Sequence, residues 1–198
     1  MADIGFWFEF ASTYSYVAAS RIESLTAACG APVEWKAFLL GPIFQSQGWN
    51  DSPFNIYPSK GRYMWRDLER LCEREGIPWR RPSRFPRSGL LAARVACLAA
   101  ERSWCAEFTR RAYRANFAED REISDPEVIG SILEAIGQPA AEILDRAQSA
   151  ENKQRLRRQT DEAVQLGIFS APSFTVGDEL FWGNDRLEQA IDWWRARR

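Results

Sequence analysis

Ser12 stands between a short aromatic-rich strand pattern and a helical pattern, where its hydroxyl group could take part in chemistry. A hydroxyl at the start of a helix lies near unpaired backbone N–H groups and the positive end of the helix dipole, so negative charge is stabilised there. One interpretation is an N-cap that stabilises the helix by about 1 kcal/mol. The other is a hydrogen bond to the thiolate of a bound ligand, which would lower the pKa of that thiol. The two roles are compatible.

Pro172 belongs to a second segment that could hold a ligand, GIFSAPSF at residues 167–174. A proline at the start of a strand is usually a trans, structural residue. A cis peptide bond here would instead leave the backbone of Ala171 open for pairing with a peptide-like ligand. The residues alone leave both alternatives open.

A third segment, WGNDR at residues 182–186, precedes the last helical pattern. Asn184 or Asp185 could cap that helix, because both residue types are favoured N-caps. Asp185 could also accept a hydrogen bond from an ammonium group of a ligand. Capping and ligand binding are both open at this point.

The chain contains no histidine, which excludes Ser-His-Asp and Cys-His catalysis and removes the commonest metal ligand. Its four cysteines, at positions 29, 72, 97 and 105, show neither a C-x-x-C motif nor paired metal-ligand spacing. We interpret them as buried free thiols. The sequence therefore predicts neither a dithiol redox site nor a metal site.

The overall charge balance favours a small, apolar partner. The 26 basic and 27 acidic side chains give a formal charge of −1, so no strong field favours nucleic acid or an anionic membrane. No apolar run reaches the length of about 18 residues that a membrane-spanning helix needs. The N-terminal residues read as a strand and not as a signal peptide, which together with the unpaired cysteines predicts a cytoplasmic location.

The N-terminal part of the chain predicts one βαβ unit. Alternating and aromatic residues predict strands over residues 3–10 and 33–40, and helical spacing predicts a helix over residues 14–28 between them. We interpret Glu9 as a strand-surface residue. Residues 41–58 are rich in Gly, Pro, Asn and Ser and predict a long irregular loop that lines a site.

The rest of the chain predicts a helical block followed by a ββα end. Helices are expected over residues 61–74, 88–101, 104–118, 125–135, 139–150 and 151–166. The C-terminal pattern predicts strands over residues 173–176 and 179–182 and a last helix over residues 185–197. On this pattern the tryptophans at positions 182, 193 and 194 are packing residues.

The chain resembles the 2-hydroxychromene-2-carboxylate isomerases and the kappa-class glutathione transferases, a DsbA-like branch of the thioredoxin superfamily. The resemblance spans nearly the whole chain. Its carriers are FEFASTYSY at residues 8–16, RFP at 84–86 followed by LAAR at 91–94, GIFSAPSF at 167–174 and GDELFWGNDR at 177–186. The segment at residues 40–47 and Ser88, where many relatives have asparagine, depart from the pattern.

The resemblance implies an α/β fold in which a thioredoxin-like βαβ…ββα domain carries an inserted all-α domain, as in DsbA. The thioredoxin-like domain would comprise residues 1–58 and 167–198, and the helical domain residues 59–166. The family is commonly homodimeric, which implies a homodimer here.

The resemblance also implies a glutathione site. Ser12 would be the catalytic residue and face the sulfur, the cis-proline would be Pro172, and Ala171 would pair with the cysteinyl part. The implied glutathione-binding residues are Ser12, Asn55, Lys60, Ala171, Pro172, Trp182, Gly183, Asn184 and Asp185. The implied substrate-binding residues are Phe44, Phe54 and Arg84.

The activity implied by the resemblance is isomerisation of 2-hydroxychromene-2-carboxylate, or of a related aromatic or conjugated carbonyl compound, by reversible addition of the glutathione thiolate. One alternative is a kappa-class-like glutathione transferase or peroxidase that conjugates electrophiles irreversibly. Another is a non-catalytic thioredoxin-fold binding protein. A dithiol oxidoreductase is disfavoured, because Ser12 and residues 14–16 supply no attacking or resolving cysteine.

Overall fold

A four-stranded mixed sheet lies at the centre of the fold, in the strand order β2-β1-β3-β4. The strands are β1 (Ile4–Phe8), β2 (Val33–Ala37), β3 (Ser173–Val176) and β4 (Glu179–Trp182). β1 pairs in parallel with β2 and antiparallel with β3, and β3 pairs antiparallel with β4. The structure is a computed structural model that describes residues 3–197, so Met1, Ala2 and Arg198 of the predicted thioredoxin-like domain lie outside the described residues.

β1 is buried along its whole length because both faces of the sheet are covered. On one face Phe6 and Phe8 enter the main core, where Phe6 stacks on Phe174 with ring centroids 5.4 Å apart. On the other face Trp7 enters a second core and contacts Phe38 edge-on. The strand β1 is shorter than the predicted span of residues 3–10 and ends at Phe8.

The crossover helix α1 (Thr13–Ala27) joins β1 to its parallel neighbour β2, as predicted. Ser12 is its N-cap, with an extended backbone and a side chain that accepts a hydrogen bond from the Ser15 backbone N–H. The structural half of the interpretation of Ser12 is thus confirmed.

The irregular loop predicted over residues 41–58 is wrong, because the segment forms two short helices, α2 (Leu40–Ser46) and α3 (Pro53–Ile56). Its prolines lie in the first turns of helices, where a missing N–H costs nothing. Ser52 caps α3 by accepting from the Phe54 N–H. The residue types that suggested a loop therefore lie at the starts of helices in this segment.

Six longer helices follow, as the sequence predicts, with ends that shift by a few residues. They are α4 (Pro58–Glu75), α5 (Leu90–Ala99), α6 (Cys105–Phe117), α7 (Pro126–Ala135), α8 (Ala140–Ala147) and α9 (Ala150–Gln165). The helices lie between β2 and β3 in the chain, which confirms the thioredoxin-like fold class with helices inserted in it. The boundaries of the helical domain at residues 59 and 166 stay a prediction.

The last helix, α10 (Leu187–Arg195), follows a single 3-10 turn at Asn184–Arg186. Its N-cap residue is Arg186, and no side chain caps it. The capping role predicted for Asn184 or Asp185 is therefore wrong, because the 3-10 turn moves the start of the helix beyond both residues.

α6 holds the turn between β1 and α1 in place. The Tyr113 hydroxyl donates to the backbone oxygen of Glu9 at 2.9 Å, and the Asn116 side-chain amide donates to the backbone oxygen of Phe10 at 3.1 Å. Both donors are buried, and the ring of Tyr113 packs on Phe10. The turn that carries Ser12 is thus fixed by residues about a hundred positions away.

Three of the cysteines are buried as predicted, and the fourth, Cys29, is half-buried. The described residues include all four and contain no disulfide. Burial raises the pKa of Cys72 to about 11 and that of Cys105 to about 12, and it also raises the pKa of Cys97. These three thiols are therefore unreactive at neutral pH. Within residues 3–197 no helix combines the length and the apolar character needed to cross a bilayer.

Candidate functional site

The turn that joins β1 to α1 opens onto a cavity of about 770 Å³, a volume that suits a small-molecule ligand. Its walls are mostly apolar. They come from the β1–α1 turn, from α2 and α3, from the segment before α5 and from the segment before β3. Parts of the chain that are far apart in sequence thus meet around Ser12.

Ser12 joins two of these walls. Its Oγ accepts from the Ser15 N–H at 3.2 Å and donates to the backbone oxygen of Ala171 at 3.0 Å. Its backbone N–H donates to the Glu9 backbone oxygen. A ligand at this point would meet a hydroxyl group at the N-terminus of a 15-residue helix, where negative charge is favoured.

The Ala171–Pro172 peptide bond is cis, as the resemblance implies, and Ala171 lines the cavity. The Pro172 backbone oxygen accepts from the Gly183 N–H at 3.0 Å, which ties this segment to the end of β4. A second cis bond, Phe85–Pro86, lies on another wall of the same cavity and was not predicted.

Several predicted site residues meet in the cavity wall. These are Ser12, Phe44, Phe54, Lys60, Ala171 and Trp182. The ring of Phe44 contacts Trp49 edge-on at 5.5 Å, and that of Trp182 contacts Phe169 at 4.8 Å. The Trp182 residue is half exposed at the end of β4, so it lies on the strand surface beside the cavity.

The structure does not bring the other predicted residues into the cavity wall. Asn55 lies outside the wall, and its side-chain amide donates a hydrogen bond to Asp51, which lines the cavity. Pro172 and Gly183 lie behind the wall and are linked to each other.

Three more of them lie outside the cavity wall. Asn184 is buried and accepts from Arg21, and Asp185 is exposed beside Arg186. The Arg84 side chain is 79% exposed and lies 3.9 Å from Glu122, outside the residues that line the cavity.

Glu9 is a cavity residue that the sequence analysis missed. The interpretation as strand surface is wrong, because β1 ends before Glu9 and the turn directs its side chain inward, where only 8% of the residue is exposed. Oε2 accepts from the Ala11 N–H at 2.8 Å. Burial nevertheless raises the pKa of Glu9 from 4.5 to about 7. The absence of histidine was the available signal, since a carboxyl next to Ser12 was then a natural candidate for proton transfer.

Arg87 supports the wall before α5 and was also missed. Its side chain is 3% exposed, and its guanidinium donates to Asp120 at 2.5 Å and to the side chain and backbone of Asn116. The Ser83 N–H and Arg87 lower the pKa of Asp120 to about 2. This network connects the wall to the Asn116 amide that holds Phe10, so it positions the site.

The model of the DSBA-like thioredoxin domain family matches residues 3–192 of the chain. The chain belongs to this family. Its DsbA-like fold is also that of a solved 2-hydroxychromene-2-carboxylate isomerase, with a TM-score of 0.88, 23% sequence identity, and coverage of 99% of this chain and 95% of the other.

Two curated relatives of this DsbA-like chain are similar over most of their length. A 2-hydroxychromene-2-carboxylate isomerase of Sphingobium xenophagum is 28% identical, over 93% of this chain and 94% of the relative. A glutathione S-transferase kappa 2 of Caenorhabditis elegans is 26% identical, over 96% of this chain and 90% of the relative. The resemblance to these two groups of proteins is thereby confirmed.

Proposed function

We propose that this chain is a glutathione-dependent isomerase of 2-hydroxychromene-2-carboxylate or of a related conjugated carbonyl compound. The observation that carries the proposal is Ser12 at the N-terminus of α1, hydrogen-bonded to Ala171 and facing a largely apolar cavity. The similarity to an isomerase and to a glutathione transferase, both over more than nine-tenths of this chain, supports it.

A thiolate is the nucleophile that the proposed reaction needs, and the cavity-lining residues that the structure describes include no cysteine. In the proposed reaction the sulfur is that of glutathione. A thiol with a pKa of about 8.5 is only a few per cent ionised at neutral pH. Stabilising the anion by about 2–3 kcal/mol would lower that pKa by about two units, since one unit is ~1.4 kcal/mol. The Ser12 hydroxyl and the dipole of α1 are suited to supply this, once the hydroxyl turns from Ala171 to the sulfur.

The proposed reaction is a reversible conjugate addition. In 2-hydroxychromene-2-carboxylate the ring C–O bond of the hemiketal first breaks and the hydroxyl proton passes to the phenolic oxygen, which gives a conjugated ketone. The thiolate then forms a C–S bond with the conjugated carbon, and the π electron pair moves toward the carbonyl oxygen. The former double bond is then single and rotates. Return of the electron pair expels the thiolate, so glutathione is regenerated and the substrate leaves with changed geometry.

Aromatic side chains and Lys60 are the groups proposed to bind the substrate. Phe44, Phe54 and Trp49 line one side of the cavity, where they can pack on an aromatic ring. Lys60 lines the cavity with its ammonium group held 4.7 Å from the centre of the Tyr57 ring, and it can bind a carboxylate.

Lys60→Ala is expected to raise the substrate KM about fivefold with little change in kcat, because an exposed charge pair contributes about 1 kcal/mol. Steady-state kinetics at saturating glutathione measure this. The control is Lys153→Ala, since Lys153 is exposed on α9 and outside the cavity wall. Equal KM values for Lys60→Ala and the control would remove Lys60 from the substrate site.

Glutathione binding with ultraviolet detection of its thiolate across pH tests the proposed function. We expect bound glutathione to show a depressed thiol pKa, and S-methylglutathione, which has no thiol, to bind without the thiolate signal. Added 2-hydroxychromene-2-carboxylate should then be converted while total glutathione stays constant. No binding, or an undisturbed thiol pKa, contradicts the proposal.

The similarity to the kappa 2 transferase makes a glutathione transferase the second candidate. It would use the same site and the same thiolate. The assay separates the two, since a transferase consumes one glutathione for each electrophile and an isomerase consumes none.

A further inference from the structure

Glu9 and Ser12 are presented to the cavity by one short turn. The backbone oxygen of Glu9 accepts from the Ser12 N–H at 2.9 Å and from the Tyr113 hydroxyl at 2.9 Å, and its carboxyl accepts from the Ala11 N–H. Both residues line the cavity. The carboxyl group thus lies on the same wall as the hydroxyl group proposed to face the sulfur.

The carboxyl group is also closely packed on the side of α5. A Cβ atom at Gly89 would come within 3.1 Å of Glu9 Oε1 and 2.7 Å of the Phe10 Cβ, so there is no room there for a larger residue. The Tyr113 hydroxyl holds the Glu9 backbone oxygen. This packing restricts the carboxyl group and keeps it buried at the cavity wall.

We propose that Glu9 carries the proton during the reaction, taking it from the glutathione thiol and lending it to the carbonyl oxygen of the substrate. This inference rests on the proposed function and adds a catalytic residue to it. No histidine is available for the task, because the chain contains none.

The other charged groups that line the cavity are poorly suited to this role. Asp51 is exposed, and both of its oxygens accept from the Asn55 side-chain amide. Lys60 is exposed, and the guanidinium of Arg87 is held by Asp120. Burial brings the pKa of Glu9 to about 7, the range in which a group can both accept and donate a proton near neutral pH.

The electrostatic interaction between the two groups also favours this transfer of the proton from the glutathione thiol to Glu9. A thiolate and a carboxylate in one apolar site repel each other, so the pair tends to keep one proton between them. When sulfur is the thiolate, the proton therefore rests on Glu9. Tyr113 from α6 and Arg87 from the segment before α5 are the other titratable groups on this side, and Asp51 and Lys60 line the same cavity.

The proton transfers of this reaction need no further reactant. The S–H bond of glutathione breaks and an O–H bond forms on Glu9. As the C–S bond forms, the proton moves from Glu9 to the carbonyl oxygen and gives an enol. After rotation the enol proton returns to Glu9 while the C–S bond breaks, and the thiolate is restored.

The pH dependence of kcat at saturating glutathione tests the proposal in Glu9→Gln and Glu9→Asp. The wild-type rate should rise as the thiol ionises and fall again above about pH 7, as Glu9 loses the proton it must donate. Glu9→Gln should lose this alkaline decline and be about a hundredfold slower at its maximum, because an amide cannot carry the proton. Glu9→Asp should keep a decline, since it keeps a titrating carboxyl group.

The matched control is Asp51→Asn, which removes the other cavity-lining carboxylate and should keep the alkaline decline. An unchanged decline in Glu9→Gln would overturn the proposal. If Glu9→Gln does not fold, the infrared C=O band of a protonated carboxyl decides. This band should be present in the wild type at neutral pH and absent in Glu9→Asp at the same frequency, and a wild type without the band overturns the proposal.

The two proposals fail in different ways. A wild type that neither binds glutathione nor turns over substrate contradicts the proposed function. A wild type that does both, with the same pH profile in Glu9→Gln, contradicts the role of Glu9 alone.

Discussion

Ser12→Ala is expected to raise the pKa of the bound glutathione thiol by about one to two units and to slow turnover at neutral pH about 10- to 100-fold. The variant loses the hydroxyl group that is proposed to donate to the sulfur, while the dipole of α1 remains. Ultraviolet titration of bound thiolate gives the pKa, and steady-state kinetics give the rate. The two changes should agree, because both report the same loss of anion stabilisation.

The effect of losing the N-cap must be separated from the effect of losing the hydrogen-bond donor, because the Ser12 hydroxyl group has both roles. Ser149→Ala is the matched control, since Ser149 caps α9 by accepting from the Asn152 N–H at 3.2 Å and lies outside the cavity wall. Each variant should lose about 1 kcal/mol of the free energy of unfolding. If Ser12→Ala behaves like Ser149→Ala in every assay, Ser12 is a structural cap only.

Glu9→Gln is expected to be more stable than the wild type at pH 8 by up to about 3 kcal/mol and nearly equal to it at acid pH. Burial raises the pKa of Glu9 from 4.5 to about 7, and one pKa unit is ~1.4 kcal/mol. Between these two values the native state binds more protons than the unfolded state, so wild-type stability falls as pH rises. Above about pH 7 both states are ionised and the difference becomes constant.

Urea unfolding between about pH 4 and pH 8 measures this difference. The other titrating groups are common to both proteins and cancel, and Asp120, with its lowered pKa, contributes at more acid pH. Asp51→Asn is the control, because it replaces an exposed carboxylate and leaves Glu9 in place. Parallel curves for Glu9→Gln and the wild type would show that the native carboxyl titrates as in solvent.

Some features of the site depend on residues that are close in the sequence, and these could be predicted. Ser12 caps α1 through a contact with Ser15, three residues away, so the change from strand pattern to helix pattern is enough to predict it. The spans of α4 to α9 follow from periodicity within each helix. The cis bond at Pro172 could be predicted only through the resemblance, because a proline alone favours trans.

Other features required the resemblance to be tested against the geometry. Trp182 lines the cavity, and Asn184 and Asp185 follow it in the sequence by two and three positions. Both nevertheless belong to a 3-10 turn and lie outside the cavity wall. Arg84 has the charge to bind a carboxylate, but its side chain lies in solvent near Glu122. Charge and position in a motif do not decide where a side chain points.

The sequence by itself determined the βαβ start, the six longer helices, the ββα end and the N-cap at Ser12, because these depend on local periodicity and short-range hydrogen bonds. It indicated the DsbA-like fold class only through the resemblance, and it did not predict α2 and α3. Only the tertiary structure decided the properties of Glu9. Its burial comes from Tyr113 of α6 and from the segment around Gly89, which close over the turn from distant parts of the chain. A pKa depends on everything that excludes water from the group, and that is a property of the packed molecule.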